Sequence, residues 1–400
     1  MRKRFRAGAR ALAVTFAIGV GTACAAVADA RAADLPKATQ KALTDLKLDA
    51  SVLDGLDAEL NVPKTWLDGA ATEKEVIVVG TWEPREFSAM TAPFKERYPF
   101  VKLRYNRGGT MQRTMQVLVA LSEGRVIADV MTAIADASAQ FKEMKALADL
   151  RELPGFKNLS SDLVAADGTW LAHKLSFRCM AYNTDKVQKE DLPNTWDDLA
   201  TNPRWRGGNL ALSNHATAWL LVLWEKFGDK WGADFTRRMF TGVKPQRRTE
   251  GMTAATSLTA AGEFHANVPA PEWTVEKLSV KGAPIGYHCP SPVPITVSQI
   301  AMLEKSPHKN GARLFINWMV SREGQIVQKS ETFAVPVHKA LQTPAFLPFA
   351  DTIIGKPELV RDDTVLGSDQ NKRMQDTWNG YWMAHSGSDP GPVGKAGKEE

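Results

Sequence analysis

Arg178 stands inside an otherwise apolar run, residues 175–183 reading LSFRCMAYN. A guanidinium in such a strand needs a carboxylate, solvent or an anionic ligand beside it, because an unpaired buried charge is too costly to keep. Several turns in the sequence could offer backbone N–H groups at helix starts: Thr81-Trp82, Gly108-Gly109-Thr110, Ser213-Asn214-His215-Ala216-Thr217, and the segment at Thr253. The uncompensated amides and the dipole at a helix start favour an anionic oxygen. Taken singly, each turn is an ordinary N-cap; several facing one cleft would make a site. Trp82 and Trp273 fall in predicted loops, where an indole can stack on a sugar, cap an apolar solute or anchor its own loop.

Reactive chemistry is missing by comparison. There is no P-loop, no H-E-x-x-H, no C-x-x-C and no G-x-S-x-G, so the familiar nucleophile and metal-enzyme patterns fail. Gly108-Gly109-Thr110 lacks the spacing of a dinucleotide loop. The seven histidines are scattered, and His288 alone adjoins another possible ligand, Cys289; neighbours on a strand point to opposite faces and do not share a metal easily. The expectation is a binding protein without cofactor, resident metal or catalytic residues.

The elements that would carry these residues are legible from texture. Val76-Ile77-Val78-Val79 reads as a buried strand, residues 87–98 as a helix, 101–105 as a second strand, 110–122 as a helix and 128–132 as a third strand. That βαβαβ order predicts an α/β fold whose parallel sheet binds ligands beyond the carboxyl ends of its strands. A strand at 175–183 follows, then a βα unit opening at Leu210-Ala211-Leu212 and a proline-flanked strand at 284–294. Residues 306–325, SPHKNGARLFINWMVSREGQ, predict a helical hairpin with Ala312, Leu314, Phe315, Trp318 and Met319 inward and Ser321 capping the second helix. Residues 35–70 form a short helical prefix, and the tail at 386–400 is Gly-, Pro- and Lys-rich.

The start of the chain carries Arg2, Lys3, Arg4, Arg6 and Arg10 before an uncharged run rich in Ala, Val and Gly, with A-x-A sites near Ala30 and Ala32. This predicts a cleavable secretory leader and a periplasmic protein. Taking the six basic and one acidic side chains of residues 1–32 from totals of 50 and 45 leaves 44 of each. The basic character therefore belongs to the leader, and no nucleic-acid or membrane surface follows from it. Cys179 and Cys289 survive export, either paired or as two buried thiols.

The wording then resembles a family. Ala128-Asp129-Val130, Ala181-Tyr182-Asn183-Thr184-Asp185, Leu192-Pro193-Asn194-Thr195-Trp196-Asp197-Asp198-Leu199, Trp205-Arg206-Gly207, Ala261-Gly262-Glu263, Gly282-Ala283-Pro284 and Ser321-Arg322-Glu323-Gly324-Gln325 occur in order over residues 75–335. The chain is similar in these to periplasmic substrate-binding proteins of ABC transporters, in the ferric-ion, thiamine, phosphonate and sugar-phosphate branch of the type II class. The resemblance implies a two-lobe fold with crossing hinge strands, a small-molecule solute in the gap, delivery to an ABC permease in the inner membrane, and a monomer. Beside the leader at 1–32 and the prefix at 33–74 read from the residues, it implies one lobe from 75–176 plus 287–345, and another from 177–286 plus 346–385. Arg178 and Tyr287 would then lie on or beside the hinge strands, with Cys179 and Cys289 as neighbours there.

One departure bears on the solute. Iron-binding members of the family place adjacent tyrosines shortly after the Gly-Glu motif, whereas residues 262–273 here read GEFHANVPAPEW. The sequence reading is thus a small organic anion, contacted by Thr81, Trp82, Gly109, Thr110, Arg178, Ser213, Thr217 and Tyr287. Ferric iron, a cationic amine held by Glu272 with Trp82 or Trp273, and a sensing partner of a membrane receptor are the alternatives.

Overall fold

The computed structural model describes residues 35–347, 349, 357–360 and 368–384; the predicted leader at 1–32 and tail at 386–400 lie outside them. Its strands are β1 (Glu75–Gly80), β2 (Lys102–Arg107), β3 (Val130–Thr132), β4 (Leu171–Asn183), β5 (Leu210–Ser213), β6 (Gln246–Arg248), β7 (Ala266–Pro271), β8 (Ile285–His288), β9 (Val293–Met302) and β10 (Pro357–Val360). β1 pairs in parallel with β2 and β3, and β5 in parallel with β6 and β7, so two βα-type half-sheets are present. β4 joins them. Its first half runs antiparallel to β9, and its second half runs antiparallel to β7 and β8.

Each half-sheet has its own core. The prefix helices α1 (Lys37–Asp45), α2 (Leu56–Leu60) and α3 (Lys64–Glu73), together with α4 (Pro84–Met90), α5 (Ala92–Arg97), α6 (Thr110–Ser122) and α7 (Ser138–Glu143), pack around β1 and β3. The second half-sheet carries α8 (Trp196–Thr201), α9 (Leu220–Arg237), α10 (Met252–Ala260) and α11 (Glu272–Ser279). The hairpin α12 (Lys309–Met319) and α13 (Arg322–Thr332) returns to the first core, whereas α14 (Asp369–Met383) packs Met374, Trp378 and Tyr381 into the second. Trp196, Trp205, Trp219, Trp224 and Trp318 are all fully buried, as their periodic settings predict. A third, smaller cluster of Phe177, Cys179, Tyr287, Cys289 and Ile295 lies beneath the strands that cross between the halves. Cys179 and Cys289 are joined there as a disulfide that ties β4 to the chain leaving β8.

Three predicted elements differ in detail. The helix at 87–98 is two helices, because Pro93 supplies no N–H and the chain steps out of helical geometry at Thr91. The strand at 284–294 is also two, broken between His288 and Val293 where Cys289, Pro290, Ser291 and Pro292 intervene. β7 escapes a sequence reading because it contains Pro269 and Pro271, which argue against a central strand. Its ladder to β4 slips between Cys179 and Ala181, and Pro269 falls in that irregular stretch, where its missing N–H costs no ladder bond.

Candidate functional site

From Lys174 to Arg178, β4 places its side chains by simple alternation. Lys174, Ser176 and Arg178 line the cleft between the halves, while Leu175 and Phe177 line an apolar cavity behind it. The register pairs Lys174 with Ser298 and Ser176 with Thr296, so five polar side chains share one face of two crossing strands. The first half contributes Thr81, Trp82, Glu83 and Glu86 to the walls, with Ala133 and Ala135 after β3. Thr217 and Ala218 before α9, Met252 and Thr253 at the start of α10, and Trp273 and Lys277 on α11 complete them. The cleft encloses about 770 Å³, within the usual range for a small organic solute.

Arg178 is mostly buried, and its partner is Glu272: Nη1 lies 3.2 Å from Oε2 and donates to the Phe177 carbonyl at 3.0 Å. Glu272 is wholly buried, and its Oε1 has no hydrogen-bond partner among the described residues. Burial pushes its carboxyl above the usual carboxylate range, offset in part by Arg178. Between pH 4.5 and that raised value the folded chain holds more protons than the unfolded chain, so this group's contribution falls as pH rises through the window. Glu272→Gln should therefore gain relative to wild type with rising pH, by at most about 1.4 kcal/mol per unit. Chemical denaturation from pH 4.5 to 7.5 measures it; a constant difference would mean the carboxyl is ionised throughout.

The other predicted contacts divide. Thr81 and Thr217 line the cleft, and Trp273 does so half-exposed, though it sits in the first turn of α11 and not in a loop. Trp82 forms part of the wall but is buried, packed on Phe87, Tyr105 and His173, so its ring braces the loop. Tyr105 holds the same loop by donating to the Trp82 carbonyl at 2.7 Å. Ser213 is fully buried at the end of β5, a strand covered on both faces. Tyr287 is buried in the crossing core, its hydroxyl accepting from the Cys179 N–H and donating to the Ala270 carbonyl. Glu272 lies beneath Arg178 with no surface to offer an amine. Gly109 is exposed at the N-cap of α6, and the Thr110 side chain lies outside the described residues.

Lys174, Ser176, Thr296 and Ser298 are cleft residues that the sequence reading misses. The signal is present as a polar residue at every second position, K-x-S-x-R over 174–178, but a strand begun at 175 cuts that pattern short.

The sequence matches the profile of the bacterial extracellular solute-binding protein family over residues 89–351. No curated protein sequence matches the chain. Among solved structures, iron-bound HitA from Pseudomonas aeruginosa superposes with a TM-score of 0.64 at 20% identity, covering 76% of this chain and 99% of HitA. Trichodesmium IdiA (FutA) in complex with iron and citrate gives 0.61 at 18% identity, over 76% of this chain and 97% of that one. AfuA from Actinobacillus pleuropneumoniae, with fructose-6-phosphate bound, gives 0.59 at 17% identity, over 76% and 97%. These likenesses carry the two-lobe fold with crossing strands, and the profile covers well over half the length: the chain belongs to the bacterial extracellular solute-binding protein family.

Proposed function

We propose that the protein is the periplasmic solute-binding component of an ABC importer, that it takes a small organic anion into its cleft, and that it passes the anion to the permease. The observation that carries this reading is Arg178, aimed into a cleft of about 770 Å³ and held from behind by a buried carboxylate. A guanidinium so fixed meets a carboxylate or phosphate without first losing side-chain freedom. The start of α10 at Met252 and Thr253 adds backbone donors to the same space. Lobe closure around the solute would couple binding to docking.

Ferric iron, carried by HitA, fits this cleft less well. None of the chain's five tyrosines lines it, so the hard phenolate oxygens that suit Fe³⁺ are not supplied. Thermal-shift screening against carboxylates, phosphate esters, spermidine, thiamine and ferric citrate tests the assignment, since a ligand that binds only the folded chain raises its melting temperature. A shift from an organic anion is expected. Stabilisation by spermidine, thiamine or iron alone would overturn it.

A further inference from the structure

Among the described residues, Lys174 is the one cleft cation for which the surrounding acids leave no partner. Its amine makes no hydrogen bond or ion pair among the described residues. The acids that face it are Glu272 and Glu86. Glu272 is taken by Arg178 at 3.2 Å, and Glu86 by Lys277 at 3.1 Å. Lys174 lies four residues before Arg178 on the same face of β4, which sets their Cα atoms about 13 Å apart along the cleft floor. Directly across the ladder stands Ser298, whose hydroxyl is 2.9 Å from Nε2 of the buried His173. Gln328 Nε2 donates to His173 Nδ1 at 3.3 Å. Burial holds this imidazole well below its ordinary pKa, so it is neutral and carries its proton on Nε2. His173 then donates to Ser298 Oγ, which frees the Ser298 O–H to donate to another group. Burial also lowers Lys174, an effect that Glu272 offsets only in part.

Resting on the anion reading above, we infer that Lys174 and Ser298 form a second anion subsite, with His173 as the positioning residue, and that the solute carries two anionic groups. One group would meet Arg178 and the other would meet the amine and hydroxyl at the far end of the floor. A monoanion would leave Lys174 desolvated and unpaired, which disfavours it. Calorimetric titration of the full mature chain with succinate, glutarate, adipate, 3-phosphoglycerate and butyrate tests this. At least one of the four dianionic probes should bind 10-fold or more tighter than butyrate, by the worth of one charge-assisted contact. Lys174→Met and Ser298→Ala should bring that probe towards the butyrate level, the former with an unchanged or raised melting temperature in the free state. Equal binding of butyrate and all four probes, or selectivity that survives in Lys174→Met, would overturn the second subsite while leaving the anion reading intact. Binding of none of the five, alongside binding of spermidine or ferric citrate, would overturn both.

Discussion

Arg178→Ala should weaken binding of the cognate anion by about 100-fold or more, because removing one member of a buried, hydrogen-bonded charge pair costs roughly 2–5 kcal/mol and each tenfold in affinity is about 1.4 kcal/mol. The same change strips Glu272 of its partner at 3.2 Å and leaves a fully buried carboxyl without its counter-charge. Stability should fall too, less so at pH 5 than at pH 8, since a protonated Glu272 needs no counter-charge. The double variant Arg178→Met with Glu272→Gln separates the two effects: it should restore much of the melting temperature and none of the affinity. Titration calorimetry below the melting point measures the loss, and an affinity within threefold of wild type would return Arg178 to a purely structural role.

Glu323→Ala should be the most destabilising of the changes considered, by about 3–5 kcal/mol. Glu323 is fully buried, and each of its oxygens accepts twice. Oε1 takes the Thr39 hydroxyl at 2.8 Å and Arg97 Nη2 at 2.9 Å, and Oε2 takes Arg97 Nε at 2.6 Å and Trp318 Nε1 at 2.8 Å. Truncation leaves the Trp318 indole N–H without an acceptor inside the first core and takes the partner from the partly buried Arg97 guanidinium at its edge. At roughly 2–4 °C per kcal/mol the melting temperature should drop by about 10 °C. Arg97→Met combined with Glu323→Met should cost less than Glu323→Ala alone, because no buried charge is then left without a partner. A drop of under about 2 °C in Glu323→Ala would show that Arg97 finds water or another acceptor.

The hairpin shows how much the sequence discloses. Its periodicity and its Ser321 cap, whose hydroxyl accepts from the Gly324 N–H at 3.3 Å, follow from local spacing alone. Local spacing does not say why Ser321-Arg322-Glu323-Gly324-Gln325 reads as it does, because most of the answers lie far off in the chain. Arg322 pairs with Glu59 at 3.0 Å. A Cβ on Gly324 would sit 2.2 Å from the Trp318 carbonyl oxygen. Gln325 donates to the His173 and Met319 carbonyls and accepts from the Val337 N–H. The cleft divides similarly. Arg178 is conspicuous as a charge in an apolar strand. Tyr287 and Ser213 are drawn towards the cleft on sequence grounds because a sequence does not say how deeply a strand residue is buried. Trp82 reads as a ligand contact because a loop position does not reveal the rings packed on it. The charge reading of Glu272 is sound in chemistry and misplaced in depth: the carboxylate serves Arg178 from below.

The prefix has a consequence for the order in which the molecule can be assembled. Glu73, at the end of α3, receives the N–H groups of Asn310 and Gly311 at the opening of α12, and Glu59 in α2 receives that of Arg322 opening α13. Two acids from the first fifth of the chain thus cap the starts of helices made some 240–260 residues later. β9, which closes the first half-sheet, also comes late. The first lobe cannot be finished until most of the polypeptide has emerged, and contacts of such long range are slow to form. A clasp whose two halves lie at opposite ends of the chain makes completion of the first lobe wait on the segments made last.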